Sequence, residues 1–400
     1  MTGPLREPAF ARLWTAAFFS ESAEWMLQVA LPIHLYRLTG SAASTAASIA
    51  LGLLPALLLS PVAGVLADRA DRRRLLCLVC AGQAVVALPL LLADGQAVVY
   101  LVVAGQAALA SLFEPARSAL VPDLVGPDRV TAANGLMSVN GNVARLAGGW
   151  LGGLVLGTAG LGWVVAAYAG TLVIAFAVLL KPFHAVRATA SEREPVIRAW
   201  VAGLAAIRDS RRLRVASVWV VLSSLAQGMF LVEFVLFVLT VLGRGEAETG
   251  LLRGVQAIGG LVAGVLVATA AKRVAPEKLL GWGSLALSVV TLLIWNGPQL
   301  TTALGVYIGL FAIVGGPGVF AGTGLLTVIQ TETPPSQVGR VLSTAFAAMA
   351  GCTALGSLAA GALVDVVGLT ALLNAQALLH LAGAVVVLTG LVRKAVLQPV

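Results

Sequence analysis

GLGWVVAAYAGTLVIAFAVLLK, residues 160–181, carries no charge before Lys181. An α-helix needs about 20 apolar residues to cross the hydrocarbon core of a bilayer. In lipid the backbone must satisfy its own hydrogen bonds, so a run of this kind reads as a spanning helix. Eleven similar runs surround it: 10–37, 42–67, 74–93, 97–119, 129–157, 213–241, 248–271, 277–296, 299–330, 336–365 and 368–392. The 400 residues are 59% hydrophobic and 11% charged, with mean hydropathy +0.95. A soluble chain could not hide that much apolar surface. The expected fold is an all-α membrane protein of 12 transmembrane helices.

The formal charge of +8 follows the membrane rather than a polyanion. Of the 26 Lys and Arg, Arg37, Arg244 and Arg253 fall on one side of the spans and Arg145 inside one. The other 22 fall on the side of the two termini. The positive-inside rule therefore predicts cytoplasmic N- and C-termini in a cell (inner) membrane. The basic excess reads as contact with lipid headgroups, and no nucleic-acid partner is expected. The first apolar run is too long for a signal peptide and carries Glu21 and Glu24, so no cleavage is expected. Cys77, Cys80 and Cys352 all lie inside spans and read as small packing residues, with no metal site.

Residues 182–212 form the one long polar break. Val196, Ile197, Trp200, Val201, Leu204 and Ile207 recur there at helical spacing, as in an amphipathic helix lying on a membrane surface. The break predicts a six-helix bundle over 1–181, a cytoplasmic linker over 182–212 and a second bundle over 213–400. The halves repeat one another. Gly64-Val-Leu66 returns 200 residues later as Gly264-Val-Leu266, each ahead of basic residues. Pro127, Val130, Gly148, Gly153, Gly160 and Leu161 return at an offset of 208 as Pro335, Val338, Gly356, Gly361, Gly368 and Leu369. Such duplication is the architecture of rocking transporters, with the substrate site expected at midplane between the repeats.

The loop between the second and third spans reads Gly64-Val-Leu-Ala-Asp68-Arg69-Ala-Asp-Arg72-Arg73-Arg74. It resembles the signature loop of the major facilitator superfamily. Phe10-Ala-Arg-Leu-Trp14, Phe113-Glu-Pro-Ala-Arg117, Pro122-Asp-Leu-Val125 with Ala133-Asn134-Gly135, and Val338-Gly-Arg340-Val-Leu-Ser343 resemble its macrolide-efflux and enterobactin-exporter branch. The resemblance implies two pseudo-symmetric six-helix bundles, alternating access and export of amphipathic small molecules against inward proton flow. It also implies a gating latch of Gly64, Asp68, Arg69 and Arg72, with Arg72 meeting an acid at the end of span 4, best matched by Glu114 and next by Asp123. One departure is Gly148-Gly149-Trp-Leu-Gly152-Gly153, where antiporters of the superfamily commonly carry a proline after the first glycine.

Ionisable groups inside a span cost about 2.5–3.5 kcal/mol each on insertion scales, so they mark function. Glu21, Glu24 and Gln28 share one face of span 1, and Asn134, Ser138, Asn142 and Arg145 share one face of span 5. Glu21, Glu24 and Arg145 are the candidate proton-coupling group, with Arg145 expected to pair with one glutamate. Gln28, Asn142 and Arg145, with Gln227, Phe230 and Phe234 of span 7, are the candidate substrate contacts. Glu233 and Arg253 match in depth and are expected to form a structural ion pair. Phosphate-loop and metal-cluster motifs are missing from the sequence, so ATP drive within this chain, an enzymatic role and a cofactor are not expected. A monomeric secondary transporter moving a small molecule and protons among membrane lipids fits best. The substrate is either a broad range of drugs or metabolites, or one defined solute such as a siderophore or lysophospholipid, moved with or without proton coupling.

Overall fold

The computed structural model describes residues 4–69, 71–92, 95–126, 129–181, 204–269, 274–334 and 337–392, without the side chains of 56–57, 60–69, 119 and 131. Among the described residues twelve long helices follow one another: α1 Pro8–Thr39, α2 Ala42–Arg69, α3 Arg72–Ala87, α4 Gln96–Val125, α5 Val130–Ala159 and α6 Leu161–Leu180. They continue as α7 Arg211–Leu236, α8 Glu246–Thr269, α9 Pro276–Asn296, α10 Leu304–Glu332, α11 Val338–Val367 and α12 Leu369–Val387. A further short helix occupies 204–209, the described part of the expected linker helix. The rest of that expectation, including Trp200, lies outside the described residues.

Among the described residues, nine helices are long and apolar enough to cross a membrane. The remaining long ones are α1, α2 and α5. Glu21 and Glu24 interrupt α1, and Asn134, Ser138, Asn142 and Arg145 interrupt α5, so two of the three carry polar groups inside their apolar runs. The fourth helix is longer than its apolar run suggests. The run ends at 119, yet the helix continues past Pro122 to Val125, with Pro115 also inside it. Arg117, which the sequence places at a cytoplasmic end, is therefore inside a helix.

The chain forms two compact units. Unit 1 comprises Met1–Ser44, Leu51–Glu192 and Arg244–Gly254; unit 2 comprises Thr45–Ala50, Arg193–Gly243 and Val255–Val400. Within unit 1, α1 packs on α5 and α6, and α3 packs on α4 and α6. Within unit 2, α7 packs on α11 and α12, and α9 packs on α10 and α12, which is the same scheme. The repeated glycines hold equivalent places. Gly160 and Gly368 have φ of 85° and 88°, the left-handed region that favours glycine, and each ends one helix just before the next begins. A side chain at Gly148 would collide with the Ser22 carbonyl of α1, and one at Gly356 with the Leu225 carbonyl of α7. Small residues let membrane helices approach to backbone contact.

The glycine run in α5 works on two faces. Gly148 and Gly152 abut Ser22 and Met26 of α1, whereas Gly149 and Gly153 abut Gly250 and Gly254 at the start of α8, all within unit 1. Glycine at the position where a proline is commonly found keeps α5 continuous and smooth on both. In unit 2, Gly315 meets the Gln256 backbone of α8 in the same manner.

Arginines stitch the helix ends together. Asp71 caps α3 by accepting from the Arg74 backbone N–H at 3.1 Å. Arg73 donates to the last carbonyls of α6, Leu179 and Leu180, at 3.0 and 2.9 Å. A cation at a helix C-terminus is favoured by the macrodipole. In unit 2, Arg212 at the start of α7 pairs with Glu277 and, at 2.7 Å, with Glu332.

Candidate functional site

Glu21 and Glu24 sit one turn apart on α1, with partners on α3, α4 and α5. Arg117 of α4 pairs with Glu21, and through its other terminal nitrogen with Glu114 at 2.6 Å. The side chains of Glu21 and Arg117 are 18% and 14% exposed, so this pair is largely withdrawn from solvent. Gly141 of α5 makes room for it: a Cβ there would lie 2.8 Å from the Glu21 Oε2. Around the pair is a cavity of about 340 Å³ lined by Glu21, Glu114, Arg117, Ser118, Asn134, Met137, Ser138 and Gly141 among others. That volume lies within the range of small-molecule sites, ~300–1,000 Å³.

Glu24 has no such partner. Its one hydrogen bond among the described residues comes from the Gln83 amide of α3, at 3.5 Å. Behind Gln83 the polar contacts continue inward through the unit. Gln106 of α4 donates to the Gln83 carbonyl at 2.8 Å, and the Tyr168 hydroxyl of α6 donates to the Gln106 side chain at 2.7 Å. One amide thus holds the Glu24 carboxyl weakly, and a second amide and a phenol extend the polar contacts behind it.

Arg145 is not the partner of either glutamate. Its guanidinium lies over the Trp25 ring of α1, 5.6 Å from the centroid, and its Nε is buried without a hydrogen bond. Trp25 follows Glu24 and points about 100° away from it, so the right depth met the wrong side of α1. Arg253 lies over the same ring at 5.7 Å. The expected Glu233–Arg253 pair is likewise not formed, because both Glu233 oxygens are buried without a hydrogen-bond partner. Matching depth on two helices does not make their faces meet.

Arg72 meets Asp123 rather than Glu114, at 2.6 Å. Nine residues of helix, about 13 Å, separate those two acids along α4, and only Asp123 reaches the end where α3 begins. The side chains of Asp68 and Arg69 lie outside the described residues, as does the region of Gly64 beyond its helical backbone. Of the expected substrate contacts, Gln28 and Gln227 are exposed, and Asn142 bonds back to Ser138 of its own helix at 2.9 Å. Phe230 and Phe234 pack against each other with tilted rings, 5.5 Å between centroids, within unit 2, and Phe234 is buried against Phe311. The sequence reading missed Arg117, Gln83 and Gln106, although polar residues within apolar runs were the available signal.

The model of the transmembrane secretion effector family matches residues 1–396 of the chain. The multidrug efflux pump Tap of Mycobacterium tuberculosis (strain H37Rv) is 29% identical over 398 residues, covering 93% of this chain and 91% of Tap. An uncharacterized transporter of the major facilitator type from Bacillus subtilis, YfmI, is 27% identical over 162 residues, covering 39% of each protein. Among solved structures, the nucleoside transporter NupG superposes with a TM-score of 0.79 at 11% identity, covering 95% of this chain and 98% of that one. A bacterial homologue of the iron transporter ferroportin superposes at 0.70 and 17% identity, covering 97% of this chain and 99% of that one. These likenesses show the major facilitator fold.

Proposed function

The chain belongs to the transmembrane secretion effector family of the major facilitator superfamily, a family of multi-pass membrane transporters, and on that premise we propose that it is a proton-coupled exporter of amphipathic small molecules. It works by alternating access in the cell membrane, with both termini cytoplasmic. The observation that carries this reading is the unequal treatment of two neighbouring carboxyls. Arg117 compensates Glu21, whereas Glu24 has only an amide for company. A carboxyl without a counter-charge in a low-dielectric setting is tolerated as the neutral acid. Glu24 is therefore the proton carrier, and Glu21 with Arg117 and Glu114 forms the charged wall of the cavity that receives a cationic head. Protons and a cationic substrate then compete for the same group of acids, which is the elementary requirement for exchange.

The test uses purified protein in proteoliposomes with an imposed pH gradient and ethidium as a fluorescent lipophilic cation. Glu24→Gln is expected to lose gradient-driven ethidium movement while retaining exchange without a gradient. Undiminished gradient-driven movement in both Glu24→Gln and Glu21→Gln would overturn the reading. Arg145 supports a second reading, export of one anionic solute without proton coupling. It is a cation at midplane that no described carboxylate neutralises. In that case Arg145→Gln abolishes transport of an anionic probe, and Glu24→Gln leaves it intact.

A further inference from the structure

Glu233 of α7 is the least solvent-exposed acid among the described residues, 1% exposed, with neither carboxyl oxygen hydrogen-bonded. It shares a side of α7 with Phe230 and Phe237, within about 60° of arc. Those rings belong to a closed aromatic cluster in unit 2. Phe237 meets Trp295 at 4.8 Å and Tyr307 at 5.8 Å, and Phe234 meets Phe311 at 5.3 Å. Phe237, Tyr307 and Phe311 are 0% exposed.

No charge is available to neutralise Glu233 from the helices around it. Among the described residues, α9 carries Glu277 and Lys278, α10 carries Glu332, and α11 carries Arg340, all near the ends where α7 begins. Asp365 sits near the other end of α11. Arg211, Arg212 and Arg214 occupy the first turn of α7, more than five turns from Glu233. The remaining titratable groups are Tyr307, whose hydroxyl donates to the Thr301 carbonyl at 3.2 Å, Cys352 of α11, and His380 of α12. His380 lies 3.4 Å from the Ser223 hydroxyl, ten residues of helix away from Glu233. An ionised carboxylate in this packing has no counter-charge and no donor, so the packing admits only the neutral acid.

As a purely structural residue Glu233 brings only cost, since it makes no bond that repays its desolvation. A metal ion would need several oxygen ligands, and an organic cation would need space between rings that touch one another. A proton needs neither. We propose that Glu233 is a second proton-binding site, housed in unit 2, which holds its proton in the packed arrangement seen here and releases it when α7 shifts enough to admit water. The inference builds on the proton-coupled reading, and its test separates the two.

Infrared titration of the reconstituted protein across pH reads protonated carboxyls directly. Glu233→Gln is expected to remove one carboxylic-acid band that is present at neutral pH and lost only in alkali; Glu24→Gln should leave that band in place. In lightly buffered detergent solution, tetraphenylphosphonium binding should release about one proton fewer from Glu233→Gln than from the wild type. Glu233→Met should melt no lower than the wild type, as a structural bond would not allow. Loss of the band in Glu233→Gln supports the proposal even if Glu24→Gln transports normally, which would sink only the first reading. An unchanged infrared titration together with unchanged proton release in Glu233→Gln overturns the proposal.

Discussion

Arg117 of α4 holds Glu21 of α1 with one end of its guanidinium while the other end holds Glu114 of its own helix, three residues back. One cation thus joins two helices and two acids at the edge of a cavity, and it pairs with only one of the two glutamates of α1. Removing the cation should therefore hurt more than removing the whole pair.

Arg117→Leu leaves Glu21 enclosed without its partner, and breaking a buried pair in this way costs about 3–5 kcal/mol. The double substitution Arg117→Leu/Glu21→Leu should recover most of that loss. Thermal melting of the detergent-solubilised protein checks it; a double variant no more stable than Arg117→Leu contradicts the pairing.

Binding should respond to pH with a definite sign. On the proton-coupled reading, acidification loads Glu24 with a proton, so a cation that needs the negative charge binds less tightly as pH falls. Tetraphenylphosphonium affinity is expected to drop on the acid side in the wild type, and Glu24→Gln should flatten the profile. Affinity that rises toward acid pH would instead favour an anionic ligand held by Arg145.

The α1–α5 contact allows no side chain on the glycine that makes it. Gly148→Ala would press a methyl into the Ser22 carbonyl, a backbone atom that cannot swing aside. Overpacking of this kind costs about 1–3 kcal/mol. Gly170→Ala meets nothing within 4 Å and should be neutral or slightly stabilising. Equal melting temperatures for the two variants would contradict the close approach.

Arg72 and Asp123 join the start of α3 to the end of α4 with side chains only 12% and 17% exposed. Asp123→Asn should lower the melting temperature, whereas Glu114→Gln should not disturb this joint. The exchanged pair Arg72→Asp/Asp123→Arg should restore part of the loss, as measured by the same melting experiment.

The helical membrane architecture and the duplication of the halves were legible along the chain, because both depend on one-dimensional quantities. The length and apolarity of a run decide whether it can span, and the offset of 208 between Gly160 and Gly368 survives as two helix ends with the same backbone turn. The acids of α1 were legible as well, since any ionisable group in an apolar run stands out. Partnership was not. Position along the chain sets each residue's depth, at about 1.5 Å per residue, and its direction around its own helix. It does not say which neighbour occupies that direction, or that α4 would run on past Pro122. For that reason Arg145 faces Trp25, Arg117 takes Glu21, Asp123 rather than Glu114 is the partner of Arg72, and Glu233 is enclosed with no hydrogen-bond partner among the described residues. Packing azimuth is set by contacts between helices far apart in the chain, and only the tertiary structure supplies it.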